Sequence, residues 1–423
     1  MSLTEAQLHT LDENPYKKDF PLLANNPDLV FLDSAATAQR PAVVLDAERR
    51  FYETMNANPL RGLYRLSVEA TASIEAAREH IARFIGAVDE NGKPQADEIV
   101  FTRNASESLN LAAHTLPQLV NLGPDDEVVI SIMEHHSNLS PWQQVCRETG
   151  ASLVYLRPNA DYQITAEEIE AKIGPHAKIV SVTHVSNVLG VENPVAEIAT
   201  RAHEMGALMV VDGAQSVPHL TVDVHALGCD FLAFSAHKFG GPMGIGVLWG
   251  KKHLLNSMPP FLTGGEMIDS VTETDAVWAP VPAKFEAGTQ DAAGSYATDA
   301  AIAYLGSFGM DVLEERECLL ATYLTDSLAA LPFVTVIGPS EGARHVGAVA
   351  FNVEGIHPHD VASILDMTGV CIRAGHHCAQ PLLAWLGESS TCRASVAFYN
   401  DKSDIDRLVD GLNYVWSVFH GSF

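Results

Sequence analysis

Between residues 98 and 250 short β-branched runs alternate with longer amphipathic stretches, and no other feature restricts the fold of this chain so strongly. The runs are Glu98–Thr102, Glu127–Ile132, Ser152–Leu156, Lys178–Thr183, Ala207–Asp212, Asp230–Ser235 and Ile245–Trp249. Helical spacing marks Ser106–Leu119, Trp142–Thr149, Ala166–Lys172 and Pro194–Met205 between several of them. Near-continuous apolar strands are buried on both faces, and strands separated by helices pair in parallel. The pattern predicts an α/β fold around a mostly parallel, mainly seven-stranded sheet flanked by helices. The later runs follow one another closely, which leaves room for one antiparallel strand.

From Thr289 onward the texture changes. A long helical stretch (Ala293 to Leu331) precedes strand-like runs at Val334–Ile337 and Val346–Val353, an amphipathic helix from Pro358, a short run at Cys371–Arg373 and a final helix from Lys402 to Phe419. This predicts a second, smaller α+β domain. The stretch Thr263 to Thr289, rich in Gly, Pro, Thr and acidic residues, reads as loop or interface. The expected division is an N-terminal segment, 1–24, packing with the small domain, a large domain over 25–290 and the small domain over 291–423.

The net charge is −27, from 26 Lys plus Arg against 53 Asp plus Glu, spread along the chain. Such a surface repels polyanions, so neither nucleic acid nor an anionic membrane is an expected partner, although a local basic pocket is compatible with it. The most apolar stretches are too short to span a bilayer, and the polar start of the chain has no apolar core of a secretory signal, so a cytoplasmic location is expected. Six cysteines show no regular framework, and most read as buried, inert thiols.

Three features of the large domain point to chemistry. The run Ala207–Val211 ends in Asp212-Gly213-Ala214-Gln215, and ligands gather at the carboxyl ends of strands in open α/β sheets. A carboxylate there suits the ring nitrogen of pyridoxal phosphate, keeping the ring an electron sink; an Asp that merely caps the following turn is the alternative. Lys238 follows 26 residues on, in Ser235-Ala236-His237-Lys238-Phe239-Gly240-Gly241, placed like a Schiff-base lysine with Ser235 and His237 beside it for a phosphate. Arg103-Asn104-Ala105-Ser106-Glu107-Ser108 opens a helix, whose free N–H groups and dipole favour a phosphate; a plain N-cap at Ser106 is the competing explanation.

These features stand within eight ordered motifs: L-D-S-A-A-T-A-Q-R-P (Leu32–Pro41), M-E-H-H-S-N (Met133–Asn138), T-H-V-S-N-V-L-G (Thr183–Gly190), V-D-G-A-Q (Val211–Gln215), S-A-H-K (Ser235–Lys238), F-E-A-G-T (Phe285–Thr289), R-A-G-H-H-C-A-Q-P (Arg373–Pro381) and C-R-A-S (Cys392–Ser395). Over nearly its whole length the chain resembles the fold-type I pyridoxal-phosphate enzymes of the class V aminotransferase superfamily. More narrowly it resembles the group II cysteine desulfurases of the SufS/CsdA type. The resemblance implies that Lys238 holds the cofactor, His135 stacks on its ring, Asp212 pairs with the ring nitrogen and Gln215 contacts the ring hydroxyl. It implies that Ser106, Ser235 and His237 hold the phosphate, while Thr289 reaches the phosphate of a partner subunit, so that a homodimer shares two sites. Asn187 and Arg393 would bind the substrate, with Arg373 and Ala35 at the same pocket. Two departures from the family stand out: Leu60-Arg61-Gly62-Leu63-Tyr64 where relatives carry a His-rich stretch, and Ala105-Ser106 where many carry a threonine pair.

Sulfur transfer needs a nucleophile besides the cofactor, and Cys378 lies beside His376 and His377 and near Arg373. A free thiol of pKa ~8.5 is only a few per cent thiolate at neutral pH, and nearby positive charge raises that fraction. A zinc site at His376, His377 and Cys378 is the alternative, but adjacent residues on a short loop rarely converge on one ion. The implied reaction converts L-cysteine to L-alanine, with Lys238 removing the α-proton and Cys378 taking the sulfur as a persulfide. An acceptor protein of the SufE or SufU kind then removes it, for iron–sulfur cluster assembly or another use. L-Selenocysteine is an alternative substrate, and transamination on the same scaffold is the alternative reaction.

Overall fold

The computed structural model describes residues 3–339 and 345–421; the extreme ends of the expected N-terminal segment and small domain (1–2 and 422–423) lie outside them. Seven strands form the main sheet: β1 (Ile99–Thr102), β2 (Glu127–Ser131), β3 (Ser152–Leu156), β4 (Ala177–Thr183), β5 (Leu208–Asp212), β6 (Phe231–Ser235) and β7 (Gly246–Gly250). Their order is β1-β7-β6-β5-β4-β2-β3. Only β7 runs antiparallel to its neighbours, β1 and β6, so the other six point the same way. Successive residues feed opposite cores: Ile179 and Val210 pack on one face, Val180 and Val211 on the other.

Helices cover both faces. The helix Ala105–Leu119 begins at an Asn104 cap, whose side chain accepts the Glu107 N–H at 3.0 Å. The N-cap weighed for Ser106 therefore falls to Asn104, and the Ser106 hydroxyl bonds Ser137 instead. Two helices without a sequence expectation, Ala42–Thr54 and Arg65–Phe84, pack against the helix Ala292–Gly306.

A second sheet, antiparallel throughout, holds β8 (Val334–Ile337), β9 (Ala348–Val353), β10 (Arg373–Gly375) and β11 (Thr391–Ser395) in the order β8-β9-β11-β10. The expected single helix from Ala293 to Leu331 is two, Ala292–Gly306 and Met310–Ala329. Gly309 separates them at φ 89°, which no α-helix accommodates. The stretch read as loop contains a small hairpin, Ile268–Val271 with Ala276–Trp278. The helix Glu5–Asp12 packs on the helices Met310–Ala329 and Lys402–His420, and Val30–Phe31 pairs in parallel with Val370–Cys371. The N-terminal chain thus threads from the smaller sheet into the larger unit. No helix among the described residues is long and apolar enough to cross a membrane.

Candidate active site

Because six strands are parallel, the carboxyl ends of β1, β2, β4, β5 and β6 open on one side of the sheet, and a cavity of about 330 Å³ lies there. The segments after these strands line it in turn: Ser106; His135; Asn187; Asp212 and Gln215; then Ser235, His237 and Lys238. The smaller unit supplies the opposite wall with Arg373, Cys378 and Arg393, and the N-terminal chain contributes Ala35. Of the candidate residues only Thr289 lies elsewhere, in a second hollow of about 350 Å³ with Arg103, Phe261 and Gln290.

One end of the cavity suits an anion. Ser235 Oγ accepts the Ala105 N–H at 2.7 Å, and Ser106 Oγ is hydrogen-bonded to Ser137 Oγ. The close approach depends on Gly246, where a Cβ would lie 2.4 Å from the Asn104 backbone. His237 shares a hydrogen bond with Thr37 Oγ1 at 3.2 Å, and burial beside Lys238 and Arg40 lowers its pKa to about 4. It is therefore a neutral donor or acceptor near physiological pH.

In the centre, burial raises the Asp212 carboxyl above the usual range, although the Ala214 N–H (2.9 Å) and Lys238 pull it down. Burial also lowers Lys238 to about 8, with Asp212 opposing and Arg393 assisting. No hydrogen bond or ion pair engages the Lys238 amine among the described residues, so the neutral nucleophilic form is within reach. His135 accepts the Ser137 N–H on Nδ1 at 3.1 Å, which places its single proton on Nε2. Burial, with Lys238 near it, lowers this imidazole to about 3.

At the far wall Arg393 is buried. It donates to the Asn187 carbonyl at 2.9 Å and to Asp33 at 3.0 Å, while its Nε has no partner among the described residues. Asp33 also receives two donors of Arg373, including Nη2 at 2.9 Å, so one carboxylate orients two arginines. His377 bonds through Nε2 to Thr391, and burial near Arg393 lowers it to about 3. Asp33 and Ser137 were not singled out as site residues in the sequence, and His377 was weighed there only as a neighbour of the thiol and an alternative zinc ligand. Asp33 lies inside a quoted motif, but its partners are 340 and 360 residues away, so no local spacing reveals the pairing.

The class-V aminotransferase family model matches residues 30–408. The chain is 50% identical over 412 residues to a probable cysteine desulfurase of Halalkalibacterium halodurans, covering 97% of this chain and 99% of that one. A probable cysteine desulfurase of Streptomyces coelicolor is 45% identical, covering 97% and 98%. The chain belongs to the class-V aminotransferase family, among the cysteine desulfurases. Solved structures agree. The cysteine desulfurase CsdA of Escherichia coli superposes with a TM-score of 0.87 at 37% identity, covering 99% of this chain and 100% of that one. The apo cysteine desulfurase of Thermococcus onnurineus does so with 0.89 at 38% identity, covering 95% and 98%.

Proposed function

We propose that this family member is a pyridoxal-phosphate-dependent cysteine desulfurase that converts L-cysteine to L-alanine and takes the sulfur onto Cys378 as a persulfide. The observation that carries the reading is that Lys238 and Cys378, 140 residues apart, line one cavity together with Asp212, His135 and Arg393. The donor set fits the cofactor. Ser106, Ser235, His237 and a helix start match a phosphate, buried Asp212 matches a protonated ring nitrogen, and unpaired Lys238 matches an aldehyde. When bound, pyridoxal phosphate supplies an electron sink for the α-carbon of an amino acid.

The chain's own residues supply the rest. Arg393, held by Asp33 and with Nε unpartnered, takes the substrate carboxylate, and Asn187 lies beside it. Neutral Lys238 Nζ removes the α-proton, a base contribution typically of ~10²–10⁴-fold. His135, neutral and carrying its proton on Nε2, would stack on the cofactor ring. The Cys378 thiolate then attacks the substrate sulfur. A sulfur–sulfur bond forms as the carbon–sulfur bond breaks, the electron pair stays with the β-carbon, a proton completes the methyl group, and a proton returned to the α-carbon gives alanine. A thiol of an acceptor protein of the SufE or SufU kind then attacks the outer sulfur of the persulfide, taking it over and releasing the Cys378 thiolate. Thr289 lies outside the cavity of its own chain, which supports a homodimer in which it reaches the phosphate of the second copy.

The test is Cys378→Ala. This variant keeps the visible absorbance of the bound cofactor and yields no alanine from L-cysteine. Normal alanine release by it would overturn the assignment of the nucleophile. Release from L-selenocysteine alone would move the reading to a selenocysteine lyase, because selenium leaves carbon with less need of a thiolate. Consumption of a keto acid, with the cofactor trapped as its amine, would move it to an aminotransferase.

A further inference from the structure

The loop that carries Cys378 is held in a conformation its sequence does not favour. His377 and Cys378 sit at φ 50° and 55°, the left-handed region that side chains with a Cβ resist, just beyond Gly375 at 133°. Each backbone polar group from the His377 carbonyl to the Gln380 N–H is nevertheless engaged. Asn187 Nδ2 donates to the His377 carbonyl at 2.8 Å, and the Cys378 N–H donates to His376 Nδ1 at 3.1 Å. The Ala379 N–H donates to the His376 carbonyl at 2.9 Å, and the Ala379 carbonyl accepts the Leu383 N–H at 3.1 Å.

The two remaining bonds both come from His136. Its backbone N–H donates to the Cys378 carbonyl at 2.7 Å, and its Nε2 accepts the Gln380 N–H at 3.3 Å. Gln380 opens the helix Gln380–Leu386, which has no side-chain cap of its own, so the His136 ring supplies that cap from another part of the chain. The ring packs 5.6 Å from that of His376, and the residue before it is His135 at the cavity. Main chain and side chain of one residue therefore grip the loop on both sides of the nucleophile.

We propose that His136 is a positioning residue that fixes the reach of Cys378 into the cavity and couples the cysteine loop to the segment bearing His135. Its Nε2 must be unprotonated to accept the Gln380 N–H. Burial and the neighbouring His376 ring both disfavour a second proton there. The catalytic side of the proposal rests on Cys378 being the sulfur acceptor; the structural side does not.

Two full-length variants test it. His136→Phe keeps the ring shape and the backbone N–H but removes the acceptor, whereas His136→Gln places an amide oxygen where Nε2 stood. The readouts are hydrogen exchange of the 376–386 amides, the rate of Cys378 alkylation by iodoacetamide, and kcat and KM for L-cysteine. The expected result for His136→Phe is exchange faster by roughly tenfold or more, alkylation faster by about threefold, and kcat down by roughly tenfold at unchanged KM and cofactor absorbance. His136→Gln stays within about threefold of the parent in every readout. Parental exchange and kcat in His136→Phe, or equal damage from both variants, overturns the proposal. The expected exchange pattern in a protein that makes no alanine from cysteine would sink the desulfurase reading and leave the latch standing.

Discussion

The depressed pKa of Lys238 gives the most quantitative prediction. Capture of the cofactor aldehyde needs the neutral amine, and burial brings the midpoint of that amine from 10.5 to about 8. The neutral fraction is then about 10% at pH 7, about half at pH 8 and about 90% at pH 9. An ordinary lysine would be only about 0.03% neutral at pH 7, so the site gains roughly 300-fold in reactive amine. Loading of the full-length apoprotein with pyridoxal phosphate, followed by stopped-flow growth of its visible absorbance, should speed up about tenfold from pH 7 to 9 and then level off. The sign is fixed by the chemistry: protonation below pH 8 removes the nucleophile. His135 and His237, lowered to about 3 and about 4, do not titrate in this window. In Asp212→Asn the anion that opposes the burial effect is gone, so the midpoint should move below that of the parent. A rate that climbs tenfold per pH unit to pH 10 without a plateau would refute the reasoning.

Asp33→Asn should strand the buried Arg393 and free Arg373. The expected cost is about 2–4 kcal/mol in denaturant unfolding, with KM for L-cysteine raised by roughly tenfold; parental values for both would remove Asp33 from the site. Gly246→Ala forces a Cβ to within 2.4 Å of the Asn104 backbone. It should cost about 1–3 kcal/mol and weaken cofactor retention on dialysis by displacing the helix start; full retention would show that this close approach does not shape the phosphate end.

The main sheet was legible because its strands are β-branched and buried on both faces, and their ends fell within a residue or so of the expected ones. The antiparallel β7 was foreshadowed by its short connection to β6. The helices Ala42–Thr54 and Arg65–Phe84 went unmarked because neither starts at a Ser, Thr, Asp or Asn cap: Pro41 and Tyr64 precede them without side-chain hydrogen bonds. The break at Gly309 is marked only by Gly306-Ser307-Phe308-Gly309 between two helical runs, and a glycine is tolerated within a helix unless its φ turns positive. Twelve of the thirteen candidate residues line one cavity: most stand at or just after a strand end or in the cysteine segment, while Arg393 reaches it from within β11. What the sequence could not reveal is long-range pairing. Asp33 joins two arginines across the chain, and His136 reads as an ordinary polar residue until Cys378 and Gln380 lie against it.

The central claim is that an amine and a thiol in the same cavity divide the work on one substrate. Mass spectrometry of the cofactor-loaded protein after a single exposure to L-cysteine, in the absence of reductant, tests this most directly. The account predicts a gain of one sulfur atom located on Cys378, with one alanine released for each sulfur gained. Alanine formed without added mass on Cys378, or sulfur found on another of the six cysteines instead, would contradict it.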